Sequence, residues 1–143
     1  MRTSIRKSVE KGDPVVVELW NYRKDGSTFR NALMIAPVRD ETGEVVVYIG
    51  TQMEVRNHSF EGFGRNQARR RALALTPKQR QVLSLMVNGY RDSQIGERLV
   101  IGTSAVKRLR SRVLKKLGVS TTADAIRIGV QAGLAAQYEH QLA

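Results

Sequence analysis

The sequence predicts an α+β chain: a partial antiparallel sheet of three strands with a short helix before it, followed by four helices. Three observations predict this. Apolar residues alternate along the first third of the chain and take up helical spacing from Thr76 onward. Turn residues cut the alternating part into strand-length pieces, at Asp25-Gly26 and at Asp40-Glu41-Thr42-Gly43. Charge divides in the same place. Residues 1–63 carry nine Lys/Arg and nine Asp/Glu, whereas residues 64–143 carry fifteen Lys/Arg and four Asp/Glu, so the whole net charge of +11 sits in the second part.

Taken in order, a short helix is expected from about Ser4 to Lys11. The run Val15-Val16-Val17-Glu18-Leu19-Trp20-Asn21-Tyr22 is dense in β-branched and aromatic residues and reads as the first strand. Thr28 to Ile35 alternates and is the second, and Val45-Val46-Val47-Tyr48-Ile49 is the third. Residues 57–72 form a connector, with a bend at Gly62-Phe63-Gly64 and a short basic helix around Arg69-Arg70-Arg71. Thr76-Pro77 opens the next helix, Pro being suited to the first helical position, and Asn88-Gly89 closes it. Asp92 is expected to cap a short helix bearing Ile95 and Leu99. After a tight turn at Val100-Ile101-Gly102, a longer helix runs to Leu117 and stops at Gly118, and a last one runs from about Thr122 to Ala132. The domain division is therefore 1–56 for the sheet-bearing part, 57–72 for the connector, 73–135 for the helical domain and 136–143 for the tail.

The totals exclude several classes. The sequence of 143 residues has no cysteine, which removes disulfides, thiolate catalysis and cysteine-ligated zinc. There is no apolar signal-peptide core and no run of membrane-spanning length, so a cytoplasmic, bacterial protein without a membrane partner is expected. His58 and His140 lie far apart and make a metal site an unattractive reading. No nucleophile stands with a base at useful spacing, so the chain is not expected to be an enzyme.

A basic second half is the electrostatic footprint of nucleic-acid binding through phosphate contacts. The alternative is a surface charged for solubility. Two helices joined by a tight turn, the second one basic, describe a helix-turn-helix. In the second helix Val106, Leu109, Val113 and Leu117 form one apolar stripe. Ser104, Lys107, Arg108, Ser111, Arg112 and Lys115 cover the other side, a face whose cations suit guanine edges and phosphates of a major groove. No acid stands between Glu97 and Asp124, across seven basic residues. A merely solvated helix face would intersperse both signs to gain i,i+4 pairs.

The residues Leu75-Thr-Pro-Lys-Gln-Arg-Gln-Val-Leu83, Ile95-Gly-Glu-Arg-Leu99, Val106-Lys107 and Leu114-Lys-Lys-Leu-Gly-Val119 resemble the LuxR-type helix-turn-helix domain over Leu75 to Leu134. The resemblance implies four helices, double-stranded DNA as partner, and a last helix used for homodimerisation. It implies Lys107, Arg108 and Ser111 as base contacts, with Arg110, Arg112 and Lys115 as phosphate or near-groove residues. For the last helix it implies an interface from Ala123, Ile126, Val130, Gly133 and Leu134. The sequence departs from the family pattern at Gln79 and Gln81, where acids are usual. It departs also at Gly102 in place of a Ser or Thr cap, and at Ala105 and Leu109.

In the sheet, strict alternation puts Val15, Val17, Leu19 and Asn21 on one face, joined by Phe29, Asn31, Leu33 and Ile35, and by Val46, Tyr48, Gly50 and Gln52. Asn21, Asn31 and Gln52 are therefore three amides on an otherwise apolar face. They are either satisfied by one another or aimed at a polar ligand. Leu19 to Gly26, Phe29-Arg-Asn31, Ile35-Ala-Pro-Val-Arg-Asp40 and Ile49-Gly-Thr-Gln52 resemble the C-terminal half of a LOV domain, the flavin-binding branch of the PAS domains. The resemblance implies that the three amides match flavin-bonding positions. It also implies two strands and a cysteine-bearing helix ahead of Met1, so residues 1–56 are read as a truncated LOV/PAS-like sensor remnant without the photoactive cysteine. No cofactor is expected, flavin being the alternative. Proteins similar to both halves imply a sheet that covers the last helix and blocks dimerisation. The other readings are a ligand-binding sensor with DNA-binding output, and an interaction module whose incomplete sheet takes a PAS-type protein partner.

Overall fold

The computed structural model describes residues 2–55 and 65–135, with side chains from Ile5 onward. The bend at Gly62-Phe63-Gly64, both histidines and the tail 136–143 lie outside the described residues. Helix α1 (Arg2–Lys11) leads into strands β1 (Val15–Tyr22), β2 (Thr28–Arg39) and β3 (Val45–Val55). The strands form one antiparallel sheet in the order β1-β2-β3. The second and third are longer than the alternation alone suggested. Their turns close on carboxylates: Asp25 accepts from the Ser27 hydroxyl and amide, and Asp40 from the Thr42 hydroxyl and amide. These bonds, the side-chain ones foremost, hold both carboxyls below their ordinary pKa.

The register pairs Val17 with Leu33, Asn21 with Phe29, Leu33 with Gln52 and Ile35 with Gly50, so the face expected from alternation is shared by all three strands. Val46 is the exception. A register irregularity at Val38/Arg39 turns it out to solvent, 56% exposed, and Val45 instead approaches Gly12 behind α1. Near this end of the face, Tyr48 Oη donates to the Val9 carbonyl of α1 at 2.6 Å.

The opposite face positions the rest of the molecule. Met34 and Ala36 are fully buried in the core of the helical part, with Val16 and Ile49 packed beside them. β2 is thus apolar on both sides through Ala32-Leu33-Met34-Ile35-Ala36, the signature of a strand covered on two faces.

The helical part comprises α2 (Arg65–Leu73), α3 (Pro77–Val87), α4 (Asp92–Leu99), α5 (Thr103–Leu117) and α6 (Thr122–Gln131). α3 forms because Thr76 and Gln79 exchange capping bonds: the Thr76 hydroxyl accepts from the Gln79 amide and Gln79 Oε1 accepts from the Thr76 amide at 3.0 Å. A glutamine therefore does here what the family's acid would. Its inner face contributes Val82, Leu83, Leu85, Met86 and Val87 to the core, which Ile95, Val106, Val113, Leu117, Ala125 and Ile128 complete.

A short seam joins sheet to helices. Arg39 donates its backbone N–H to the Gly89 carbonyl (3.0 Å) and Nε to the Asn88 carbonyl (2.8 Å). Arg91 Nε returns to the Arg39 carbonyl (3.0 Å), and Gln94 Nε2 reaches the Asp40 carbonyl (2.7 Å). Gly89 has φ +84°, and a Cβ there would stand 2.3 Å from the Pro37 carbonyl oxygen. Only glycine serves at that position, for both reasons.

Candidate nucleic-acid interface

α4 and α5 are joined by Val100-Ile101-Gly102, and Ile101 N–H bonds back to the Gly96 carbonyl at 2.9 Å. The turn is tight because Gly96 has no side chain: a Cβ there would meet the Ile101 carbonyl oxygen at 2.7 Å. Asp92 does not cap α4 as expected. Arg91 is the N-cap, and its N–H is taken by Gln94 Oε1 at 3.0 Å. An arginine side chain has no acceptor, so no reciprocal capping bond can form. The Asp92 carboxylate is used elsewhere.

On α5 the stripe Val106, Val113 and Leu117 is buried, and Leu109 packs half-buried beside it. Ser104, Lys107, Arg108, Ser111, Arg112 and Lys115 are all exposed on one continuous side. None of its four cations makes an ion pair among the described residues. Arg110 stands apart from that face. Its guanidinium lies at 2.7 Å from Asp92 and 2.9 Å from the Thr122 hydroxyl, with only 31% of the side chain exposed. The physical reason is angular: at 100° per residue, Arg110 falls some 40° from the buried stripe rather than opposite it. Arg110 thus ties the start of α4 to the start of α6, a role that the charge count could not separate from its neighbours'.

The last helix differs from expectation in a related way. Gly129 and Ala125 press against α3, where a Cβ on Gly129 would meet Val87 Cγ2 at 2.5 Å. Ile126 is 5% exposed and Leu134 3% exposed, so both are buried inside the monomer, while Ala123 and Val130 are half-buried and Gly133 is exposed. β1 and α2 both lie against α6. Ile126 shares a cleft of about 540 Å³ with Val38 and Ile49 of the sheet. That Pro37, Val38 and Ile49 line a cleft with α6 escaped sequence reasoning, although the doubly apolar β2 carried the signal of a second covered face.

The three amides do gather on the sheet face turned away from the helices. Asn31, 4% exposed, donates Nδ2 to Gln52 Oε1 at 2.9 Å, and Asn21 lies diagonally across from Asn31 on β1. One hydrogen bond therefore links Asn31 to Gln52. Among the described residues no three His, Cys, Asp or Glu side chains gather as metal ligands, and no helix is long and apolar enough to cross a membrane.

Two helices joined by a tight turn, the second presenting a cationic face, have the form of the helix-turn-helix class of DNA-binding domains. Residues 73–128 match the family described as bacterial regulatory proteins, luxR family. The chain carries a luxR-type domain behind a LOV-like segment. It is 44% identical over 55 residues to Phototropin-2 of Oryza sativa subsp. japonica, covering 38% of this chain and 6% of that one. It is 38% identical over 60 residues to the Transcriptional regulatory protein MctR of Rhizobium johnstonii, covering 42% and 28%. The chain therefore spans a small part of the relatives' length. The structure of the VqmA dimer of Vibrio cholerae overlaps 90% of this chain and 59% of that one at 20% identity, with a TM-score of 0.42. The overlap is loose, and the two domain assignments rest on the sequence matches.

Proposed function

We propose that this protein is a transcriptional regulator that reads a promoter major groove with α5 and works as a dimer through α6. The observation that carries the reading is the exposed face of Ser104, Lys107, Arg108, Ser111, Arg112 and Lys115, without an acid beside it. Lys107, Arg108 and Ser111 are the base contacts, and Arg112 and Lys115 hold phosphates. The test is a fluorescence-anisotropy titration against duplexes selected from a random pool, repeated with Arg108→Ala and Lys107→Ala. Loss of preference between selected and scrambled duplexes is expected, with each lost base contact worth roughly 1–3 kcal/mol of discrimination. Equal weakening on both sequences would reassign those residues to phosphates, and absence of binding both by the wild type and by Gly89→Ala, which weakens the seam to the sheet, would end the reading.

The sheet acts as a brake on this activity. Ile126, assigned to the dimer face, is buried and lines one cleft with Val38 and Ile49, and β1 lies against α6, so we take the arrangement described as the restrained one. The brake is releasable. Glu18 Oε1 on β1 and Gln131 Nε2 on α6, from two elements that meet, are buried without hydrogen-bond partners. Each such group costs about 1–3 kcal/mol while it stays so.

A further inference from the structure

Helix α2 is not needed for reading bases, and its residues Arg65-Asn-Gln-Ala-Arg-Arg-Arg-Ala-Leu73 include four arginines and no acid. We infer that α2 is a second DNA-contacting element, a phosphate clamp that holds the duplex flanking the sequence α5 reads. The inference rests on the DNA-binding reading above.

Four observations lead to it. First, α2 is fixed to the domain. Ala68 and Ala72 are buried, their small side chains letting α2 lie close against α6, and its other residues face outward. Second, α2 is joined to the end of the recognition helix. Arg71 Nη1 donates to the Leu117 carbonyl at 3.3 Å, satisfying one of the free carbonyls that end α5. From the other side Lys116 Nζ donates to the Ala74 carbonyl at 3.5 Å. The C-terminal end of α2 thus stands beside the C-terminal end of α5. Third, Arg65, Arg69 and Arg70 are exposed and make no ion pair among the described residues. No acid stands between Glu61 and Asp92 to supply one. Arg65 and Arg69 repel each other at i,i+4, an arrangement that weakens a helix unless a polyanion neutralises it. Fourth, all four are arginine, whose planar fork grips phosphate oxygens in pairs.

The geometry also says where the clamp lands. Lys107 and Leu117 are ten residues apart, about 15 Å along α5. The α2 end therefore stands at the far end of α5 from Lys107 and Arg108, which places the clamp on DNA flanking the bases they read. α2 is already docked, so binding through it loses little conformational freedom.

The experiment compares the full chain with Arg69→Ala/Arg70→Ala, measuring affinity across a salt series on a selected duplex, a scrambled duplex, and the selected duplex shortened on its flanks. Each lost phosphate contact should reduce the slope of log affinity against log salt by about 0.9. Affinity should fall by the same factor on selected and scrambled DNA, several-fold at moderate salt, and the difference from wild type should vanish on the shortened duplex. Both side chains are exposed, so the thermal midpoint should stay put, and Arg69→Lys/Arg70→Lys should restore most of the slope. An unchanged slope with intact wild-type binding overturns the clamp alone. A change in preference between the two sequences overturns it as well, because a clamp on phosphates reads no bases. If neither the wild-type chain nor Gly89→Ala, in which the seam to the sheet is weakened, binds any duplex, the DNA-binding reading itself falls and the clamp with it.

Discussion

The two halves of this chain solve the problem of covering apolar surface differently. The helical part closes on itself: α3, α5 and α6 bring Leu83, Val106, Val113 and Ala125 into one buried cluster. The sheet does not. Three strands bury one end of a face by borrowing that same cluster, through Met34 and Ala36, while Trp20 and Tyr22 farther along β1 stay 64% and 75% exposed. A three-stranded sheet gains stability only from what packs on it. The sheet is therefore the dependent partner, and its position over α6 follows from that dependence as much as from any regulatory need.

Removing apolar volume from the shared core tests this dependence with the largest effect. Leu83→Ala should cost about 2–5 kcal/mol, and because Met34 and Ala36 sit in the same cluster, the sheet should lose its order together with the helices. Met34→Ala should cost a comparable amount at most, and should free the sheet while α3 to α6 remain folded. Hydrogen exchange of β2 and α3 amides separates the two outcomes. If β2 stays protected in Leu83→Ala, the sheet is independent and the comparison fails.

The difference between the halves also explains what the sequence allowed one to see. The boundaries of α3 and the stop of α5 were legible because they rest on local chemistry, Thr76-Pro77 at a start and Asn88-Gly89 and Gly118 at stops, whereas the start of α4 fell to Arg91 rather than Asp92. The α5 face was legible from helical spacing alone. Spacing also sets Arg110 apart from that face, but its role was not legible, since its partners Asp92 and Thr122 stand eighteen and twelve residues away. The burial of Ile126 was hidden for a similar reason: it sits in the shared core and beside a cleft that Val38 and Ile49 also line, and a strip of alternating small and apolar residues looks the same whether a second copy or its own chain covers it. In the sheet, pairing and turns were legible and Val46 was not, because a bulge leaves no mark on an unbroken run of valines.

The seam itself can be broken next. Gly89→Ala places a methyl against the Pro37 carbonyl in a backbone conformation that alanine resists, and about 1–3 kcal/mol of destabilisation concentrated there is expected. None of the candidate DNA contacts is touched. If the sheet is a brake, the variant should dimerise and bind its duplex more tightly than wild type, measured by analytical ultracentrifugation and anisotropy. Unchanged affinity with raised hydrogen exchange at the seam would show that the sheet restrains nothing.

Within α5, two cations five residues apart should behave in opposite ways. Arg110→Ala removes the clip between α4 and α6 and leaves Asp92 without its partner, at a cost of about 1–3 kcal/mol in chemical denaturation. Lys115→Ala should leave stability within about 0.5 kcal/mol and lower the salt dependence of DNA binding by one phosphate contact. If Arg110→Ala is neutral for stability and flattens the salt dependence instead, its side chain belongs with the DNA-facing set.

The smallest effect lies in the turn that holds the two helices at their angle. Val100 has φ 55° and ψ 48°, the left-handed region, and is the one non-glycine residue with positive φ among those described. A β-branched side chain there crowds its own carbonyl, at roughly 1–2 kcal/mol. The isopropyl group is 89% exposed and recovers little of that by packing. Glycine would remove the strain but would also enlarge the freedom of the unfolded chain by roughly 0.5–1 kcal/mol. The net expectation for Val100→Gly is a gain of up to about 1 kcal/mol, a rise of a few degrees in the thermal midpoint. Asn, which tolerates the left-handed region without that entropy, should do at least as well. If both variants lower the midpoint, the valine is held by contacts that outweigh its strain. If both raise it and weaken duplex binding, the exposed isopropyl group meets the DNA, and the turn belongs to the interface as well as to the scaffold.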